Sequence, residues 1–169
     1  MKRPLARMTH WTAEILVRIA AGGLCAMTVI VGWQVFGRYV LSSSPSWSEQ
    51  ASLTLMIWYV SLAAAAGVRE GFHIRIVVFE NAVGPKAKAV FRILSNIVVG
   101  ACGAAMCIWG TELVVRTWAH VIPSLGIPRG SAYAGLPIAG VLIVLFSLER
   151  IIDEFEGEMV RNEEESRWS

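Results

Sequence analysis

Side chains that could carry out chemistry are few in this chain, and almost all of them lie outside its long apolar segments. The three histidines, His10, His73 and His120, fall between those segments, so none is placed to ligate a haem from within a membrane span. No serine or cysteine in an apolar segment has a histidine positioned to activate it as a nucleophile. The sequence therefore predicts that the protein is not an enzyme and that it has no catalytic centre and no cofactor.

The cysteines are equally poor candidates for a metal site. Cys25, Cys102 and Cys107 all fall within apolar segments, without CxxC spacing and without a histidine that could complete a set of ligands. We interpret them as small buried residues at contacts between helices. No metal is expected.

Four segments of about 18 residues or more contain no Asp, Glu, Lys or Arg, and these segments must position the polar residues between them. They run from Ile19 to Phe36, from Ala51 to Val68, from Ile93 to Thr111 and from Gly130 to Leu148. At 1.5 Å per residue, each can cross a hydrocarbon layer of about 30 Å as an α-helix. The sequence predicts an all-α integral membrane bundle of four transmembrane helices in a single domain, with spans at about residues 15–37, 49–68, 89–111 and 130–150.

Composition supports this class of protein. Hydrophobic residues make up 55% of the 169 residues, and the mean hydropathy is +0.55, as is typical of membrane proteins. The net charge is only +2, so a nucleic-acid partner is not indicated. We therefore expect most of the chain to be surrounded by the lipid bilayer.

The positions of the positive charges predict how the helices cross the membrane. Lys and Arg are concentrated in the N-terminal tail, with Lys2 and Arg3, and between the second and third spans, with Lys86. Short loops rich in these residues stay in the cytoplasm. We therefore expect both termini to be cytoplasmic, with Tyr39 to Gln50 and Glu112 to Arg129 on the outer side.

Two segments outside the spans carry their own predictions. Phe72, Ile76, Phe79 and Val83 fall on one face of a helix, which predicts a short amphipathic cytoplasmic segment between helices 2 and 3. Such a segment either lies in the inner membrane interface or is a plain connector. Residues 157–169 are predicted to form a flexible cytoplasmic tail.

The spans are interpreted as packing surfaces rather than as a transport path. Small residues recur at four-residue spacing, which lets helix backbones approach closely in lipid. The pairs are Gly22 and Ala26, Gly100 and Ala104, Gly103 and Cys107, and Ala101 and Ala105. No ionisable residue lies between the ends of any span, whereas proteins that move ions or charged solutes keep such groups there.

The most distinctive motifs lie at the ends of the spans. Trp47-Ser48-Glu49-Gln50 opens the second span, Trp58 lies within it, and Gly67-Val68-Arg69-Glu70-Gly71-Phe72-His73-Ile74 closes it. Phe36-Gly37-Arg38-Tyr39 ends the first span, and Leu125-Gly126-Ile127-Pro128 leads through Tyr133 to Leu136-Pro137 in the fourth. In order and spacing, these motifs resemble the small membrane subunit (Q-type, DctQ-like) of tripartite ATP-independent periplasmic (TRAP) transporters, over roughly residues 15 to 150.

The resemblance implies a small permease subunit of the bacterial inner membrane that binds and scaffolds a large elevator-type permease subunit. In that family the large subunit takes up an organic anion, often a carboxylate, with sodium, after a periplasmic substrate-binding protein has delivered it. The candidate partner-interface or structural residues are Trp47, Glu49, Trp58, Arg69, His73 and Pro128. The family commonly has an Asp four residues after the loop histidine, and this chain has Val77 there.

Simpler roles and other functions remain open at this stage. Glu49 could equally be an ordinary first-turn residue that offsets the helix dipole. Arg69 could equally face lipid phosphates, and His73 could be a solvated loop residue. One alternative function is a small autonomous four-span exporter, in which Glu14 or Glu49 would exchange protons for a cationic drug. Another is a structural subunit or assembly factor of a different membrane complex.

Overall fold

The computed structural model describes residues 2–43, 45–70 and 85–167, with side chains described for Thr9 and for residues 11–43, 45–69 and 90–154. This part of the chain forms the helices α1 (Lys2–Tyr39), α2 (Ser46–Glu70), α3 (Pro85–Thr117), α4 (Arg129–Tyr133) and α5 (Gly135–Arg167), and the strands β1 (Val121–Ile122) and β2 (Ile127–Pro128). The predicted amphipathic segment, with His73 and Val77, lies outside the described residues.

Four helices are long and apolar enough to cross a membrane, which confirms the predicted all-α fold with four transmembrane helices. The apolar stretches are Trp11–Tyr39 in α1, Ser46–Arg69 in α2, Val90–Thr117 in α3, and Arg129–Glu154 across α4 and α5. Both α1 and α5 continue beyond these stretches as helix, at the N-terminal and C-terminal ends of the chain respectively.

Charged residues bracket every span at the same spacing. Each span has one charged residue near either end, and the two are 20 positions apart: Arg18 and Arg38, Glu49 and Arg69, Arg92 and Glu112, and Arg129 and Glu149. In a helix that spacing is about 30 Å, the thickness of a hydrocarbon core. The uncharged cores of the four spans therefore contain the same number of residues.

The helices pack in the order α1, α2, α5, α3. Extensive contacts join α1 to α2, α2 to α5, and α5 to α3, and no other pair of these four packs along its length within the described residues. The middle helices α2 and α5 bury about a third or more of their apolar stretches, whereas α1 and α3 bury about a tenth. The bundle is thus an open row with α1 and α3 at its edges.

Glycines bring α3 and α5 close together. A Cβ atom at Gly140 of α5 would lie 2.6 Å from the backbone nitrogen of Cys107 and 2.7 Å from the carbonyl oxygen of Gly103, both in α3. Further along the same contact, a Cβ at Gly110 would meet Pro137, and one at Gly100 would meet Ser147. Because the obstacles at Gly140 are backbone atoms, only glycine fits there.

Some small residues that the sequence placed at helix contacts face away from the protein. Gly22, Ala26 and Ala101 are exposed, and a Cβ atom at Gly22 would have no atom within 4 Å. Cys25 and Cys102 are exposed as well. The expectation of buried cysteines is therefore wrong for these two, because each lies on an edge helix that has only one neighbour along its length. Cys107 is partly buried against Gly140, as predicted.

A β-hairpin and α4 cover one end of the row, which we call the hairpin end. Gly126 has φ +68°, a conformation that favours glycine, and its N–H donates to the Ile122 carbonyl at 2.8 Å. The hairpin pairs Val121 with Pro128 and Ile122 with Ile127, and the Ile122 side chain is buried. The apolar connection between α3 and α4 is thus an ordered hairpin.

Candidate functional site

The two candidates at the start of α2 are exposed at the hairpin end. Trp47 and Glu49 lie in the first turn of α2, and both side chains face away from the protein. Glu49 forms no ion pair with any described residue. These two side chains are therefore available to a lipid headgroup or to another protein.

Trp58 and Pro128 meet at a residue that the sequence did not single out, Ser131 in α4. The indole Nε1 of Trp58 donates to the Ser131 carbonyl oxygen at 3.2 Å, and the Ser131 hydroxyl donates to the Pro128 carbonyl oxygen at 2.7 Å. The Trp58 ring also packs beside Gly135, where a Cβ would lie 3.3 Å from both the Cα and the Cδ2 atoms of Trp58. These contacts fix α4 and the start of α5 against α2.

Arg69 points into the protein at the opposite end of the row, which we call the Glu149 end. The Nε atom of Arg69 lies 3.4 Å from the Oε2 atom of Glu149, with 25% and 17% of the two side chains exposed. The other carboxylate oxygen of Glu149 accepts a hydrogen bond from the Thr9 hydroxyl at 2.8 Å. We call Thr9, Arg69 and Glu149 the Glu149 cluster.

Two further contacts at this end involve the same stretch of α5. The Arg150 guanidinium donates to the Val68 carbonyl at 3.0 Å, in the last turn of α2. The Arg92 guanidinium of α3 pairs with Glu154 at 3.3 Å. All three other spans are therefore joined to α5 by polar contacts at the Glu149 end.

The sequence identified Arg69 but not its partners. Thr9 and Glu149 are 140 residues apart, so no local motif could reveal their contact. One signal was present: Glu149 is the first charged residue after the fourth apolar run, at the same spacing from Arg129 that Arg69 has from Glu49. His73 lies outside the described residues, so its role stays a prediction.

The remaining ion pairs are local and exposed. Glu14 pairs with Arg18 at 2.6 Å within α1, and Glu112 pairs with Arg116 at 2.6 Å within α3. At least two-fifths of each of these side chains is exposed, so the pairs contribute little to stability. Within the described ranges, no group of three or more His, Cys, Asp or Glu residues could hold a metal ion.

Comparison with known proteins identifies the family. Residues 27–157 match the family model "Tripartite ATP-independent periplasmic transporters, DctQ component". A Haemophilus influenzae protein assigned to the TRAP transporter small permeases is 28% identical over 164 residues, which cover 94% of this chain and 99% of that protein.

Two Vibrio cholerae proteins are also similar. The sialic acid TRAP transporter small permease protein SiaQ is 24% identical over 77% of this chain and 75% of its own length. The C4-dicarboxylate TRAP transporter small permease protein DctQ is 25% identical over 85% of this chain and 72% of its own length.

These relatives are transporter subunits rather than enzymes, and the four apolar helices make the chain a multi-pass membrane protein. The match to the family model spans most of the chain and includes the last three spans entirely. The resemblance found in the sequence motifs is thus confirmed: the chain belongs to the DctQ components of the tripartite ATP-independent periplasmic transporters, as a small permease subunit.

Proposed function

We propose that this subunit binds a large elevator-type permease subunit and holds its static part in the bilayer, so that the large subunit can take up an organic anion with sodium. A periplasmic substrate-binding protein would deliver the anion. The observation that carries the proposal is the distribution of charge within a chain of this family. Between the two charged residues that bracket each span, no Asp, Glu, Lys or Arg occurs.

Charge placement also argues against an autonomous exporter. A proton-coupled exporter needs a carboxylate within the membrane, where its protonation can change during transport. Glu14 is paired with Arg18 in its own helix, and Glu49 lies exposed at the hairpin end. Neither carboxylate lies between the two charged residues that bracket a span.

The proposed orientation has both termini in the cytoplasm of a bacterium and the hairpin end on the periplasmic side of the inner membrane. Aromatic side chains support a membrane interface at the hairpin end, because they are enriched where hydrocarbon meets water. The exposed Trp and Tyr residues near this end are Trp33, Tyr39, Trp47, Trp109 and Trp118. In this orientation residues 157–169, predicted to be flexible, would extend into the cytoplasm.

The candidate residues divide into two groups under this proposal. Trp47 and Glu49 are exposed, so they are suited to contact the large subunit directly. Trp58, Arg69 and Pro128 make contacts within the chain, so they would act by keeping the subunit in shape. His73 is proposed as a further contact to the partner.

The experiment reconstitutes the chain, its large permease partner and the binding protein in liposomes with a sodium gradient. Uptake should require both membrane subunits, and the chain alone should accumulate no solute. Glu49→Ala should lower recovery of the two-subunit complex by about tenfold, the effect of losing one important interface residue, without lowering membrane insertion. Glu112→Ala is the matched control, because Glu112 is an exposed carboxylate near the same end. Uptake by the chain alone, or full activity of the large subunit without it, would overturn the proposal.

A further inference from the structure

The carboxylate of Glu149 serves two different helices with its two oxygen atoms. Oε1 accepts the Thr9 hydroxyl of α1, and Oε2 faces the Arg69 guanidinium of α2. From this geometry we infer that Glu149 is a positioning residue that fixes the edge helix α1 relative to α2 and α5 at this end of the row. The inference rests on the proposed function only where it concerns the effect on uptake.

Helix α1 needs such a contact because of its place in the row. It packs lengthwise against α2 and not against α5 within the described residues. Its buried residues Ala13, Leu16 and Ala20 follow Thr9 at helical spacing, so one face of α1 is held at the Glu149 end. From Ala21 to Phe36 no residue of α1 is fully buried.

The core beside the cluster explains why the position of α1 matters there. Leu16 belongs to a buried apolar group that also contains Val68 of α2 and Phe146 of α5. Leu16 is the residue that α1 contributes to this group. A shift of α1 away from Glu149 would therefore pull Leu16 out of this apolar group and expose the residues that pack against it.

The chemistry of the cluster specifies a carboxylate. Both charged side chains are mostly shielded from water, so their attraction is screened less than that of an exposed pair. A neutral glutamine could still accept from Thr9 through its oxygen, but its amide N–H₂ would then face the Arg69 guanidinium, which is also a donor. An apolar residue at position 9 would remove the contact of Glu149 with α1 and leave its pairing with Arg69 in place.

The test measures the distance between α1 and α5 with spin labels on the full-length chain in lipid nanodiscs. The native cysteines Cys25, Cys102 and Cys107 are first replaced. One labelled pair, at the exposed positions Ile15 and Ile152, reports on the Glu149 end. A second pair, at Val35 and Val141, reports on the hairpin end.

Thr9→Val, which removes the hydroxyl donor, and Glu149→Ala, which removes its acceptor, should roughly double the width of the distance distribution at the Glu149 end and leave that at the hairpin end unchanged, because only the local restraint is lost. Thr9→Ser keeps the hydroxyl, and Glu14→Gln removes an ion pair that lies within α1, so both should match the parent. Equal distributions in Thr9→Val, Glu149→Ala and the parent would overturn the inference. A parent distribution that is already broad would overturn it too, since nothing would then hold α1.

Uptake by the reconstituted complex separates this inference from the proposed function. If Thr9→Val loosens α1 and uptake stays normal, Glu149 positions α1 but a rigid α1 is not needed for scaffolding. If α1 stays fixed and uptake nevertheless falls, the inference about Glu149 fails while the scaffolding role stands.

Discussion

The close approach of α3 and α5 at Gly140 gives a prediction whose size follows from the structure. In Gly140→Val the new Cβ atom would lie 2.6 Å from the Cys107 nitrogen, about 0.8 Å closer than an ordinary contact of 3.4 Å. Its other near neighbour, the Gly103 carbonyl oxygen, is also a backbone atom. Because backbone atoms cannot rotate away as a side chain can, the two helices must separate.

The separation has a calculable consequence. A gap of 0.5–1 Å removes roughly a quarter to a half of the dispersion attraction across a contact, and forced overpacking costs about 1–3 kcal/mol. Valine gains only a few tenths of a kcal/mol over glycine in helix propensity, roughly, so it offsets little of this. We expect Gly140→Val to lower the free energy of unfolding by about 3 kcal/mol, roughly a hundredfold change in the folding equilibrium.

The assay is reversible unfolding of the purified chain in mixed micelles of rising SDS content, followed by tryptophan fluorescence and circular dichroism. Gly22→Val is the matched control, because Gly22 is also a glycine within a transmembrane helix and a Cβ there would have no atom within 4 Å. Its free energy of unfolding should stay within about 0.5 kcal/mol of the parent. Equal stability of the two variants would refute the argument from helix contact.

Further predictions concern single contacts and the orientation. Trp58→Phe removes the indole donor to Ser131 and should lower the free energy of unfolding by about 1 kcal/mol in the same SDS titration. Glu112→Gln removes an exposed ion pair and should change the free energy of unfolding by less than about 0.5 kcal/mol. A single cysteine at the exposed position Ala119 should react with a membrane-impermeant maleimide added outside intact spheroplasts, and one at Asp153 only after the membrane is permeabilised. The reverse pattern would contradict the proposed orientation.

The number of spans was predictable because the membrane imposes it on the sequence. A helix surrounded by hydrocarbon cannot carry charge in its middle, so uncharged runs between charged residues identify the spans directly. The ends of α1 and α5 were not predictable in the same way. Both helices continue into polar sequence, where hydropathy no longer distinguishes a helix from a loop.

The packing order of the helices could not be predicted from the positions of the small residues. Gly103 with Cys107 and Gly22 with Ala26 have the same spacing in the sequence, yet only the first pair lies at a close contact. The difference depends on which helix lies opposite, and that is decided by the packing of the whole chain. The pattern predicts that a close approach is allowed, and not that a partner is present.

The candidate site was predictable for residues whose types are unusual in their position. Trp58 within an apolar run and Arg69 at its end stand out in the sequence, and both make defined contacts. Ser131 and Glu149 complete those contacts from a distant part of the chain. Nothing local distinguishes Ser131 from other serines near helix ends, so only the fold brings it to Trp58.

The equal spacing of the bracketing charges makes the subunit sensitive to the lipid around it. Four spans with uncharged cores of one length, joined by polar contacts at the Glu149 end and by loops at the hairpin end, cannot each tilt independently when the bilayer becomes thicker or thinner. Hydrophobic mismatch would then act on the whole row, at a fraction of a kcal/mol for each ångström. The subunit should accordingly be most stable with acyl chains of intermediate length, and lose stability as they are shortened or lengthened.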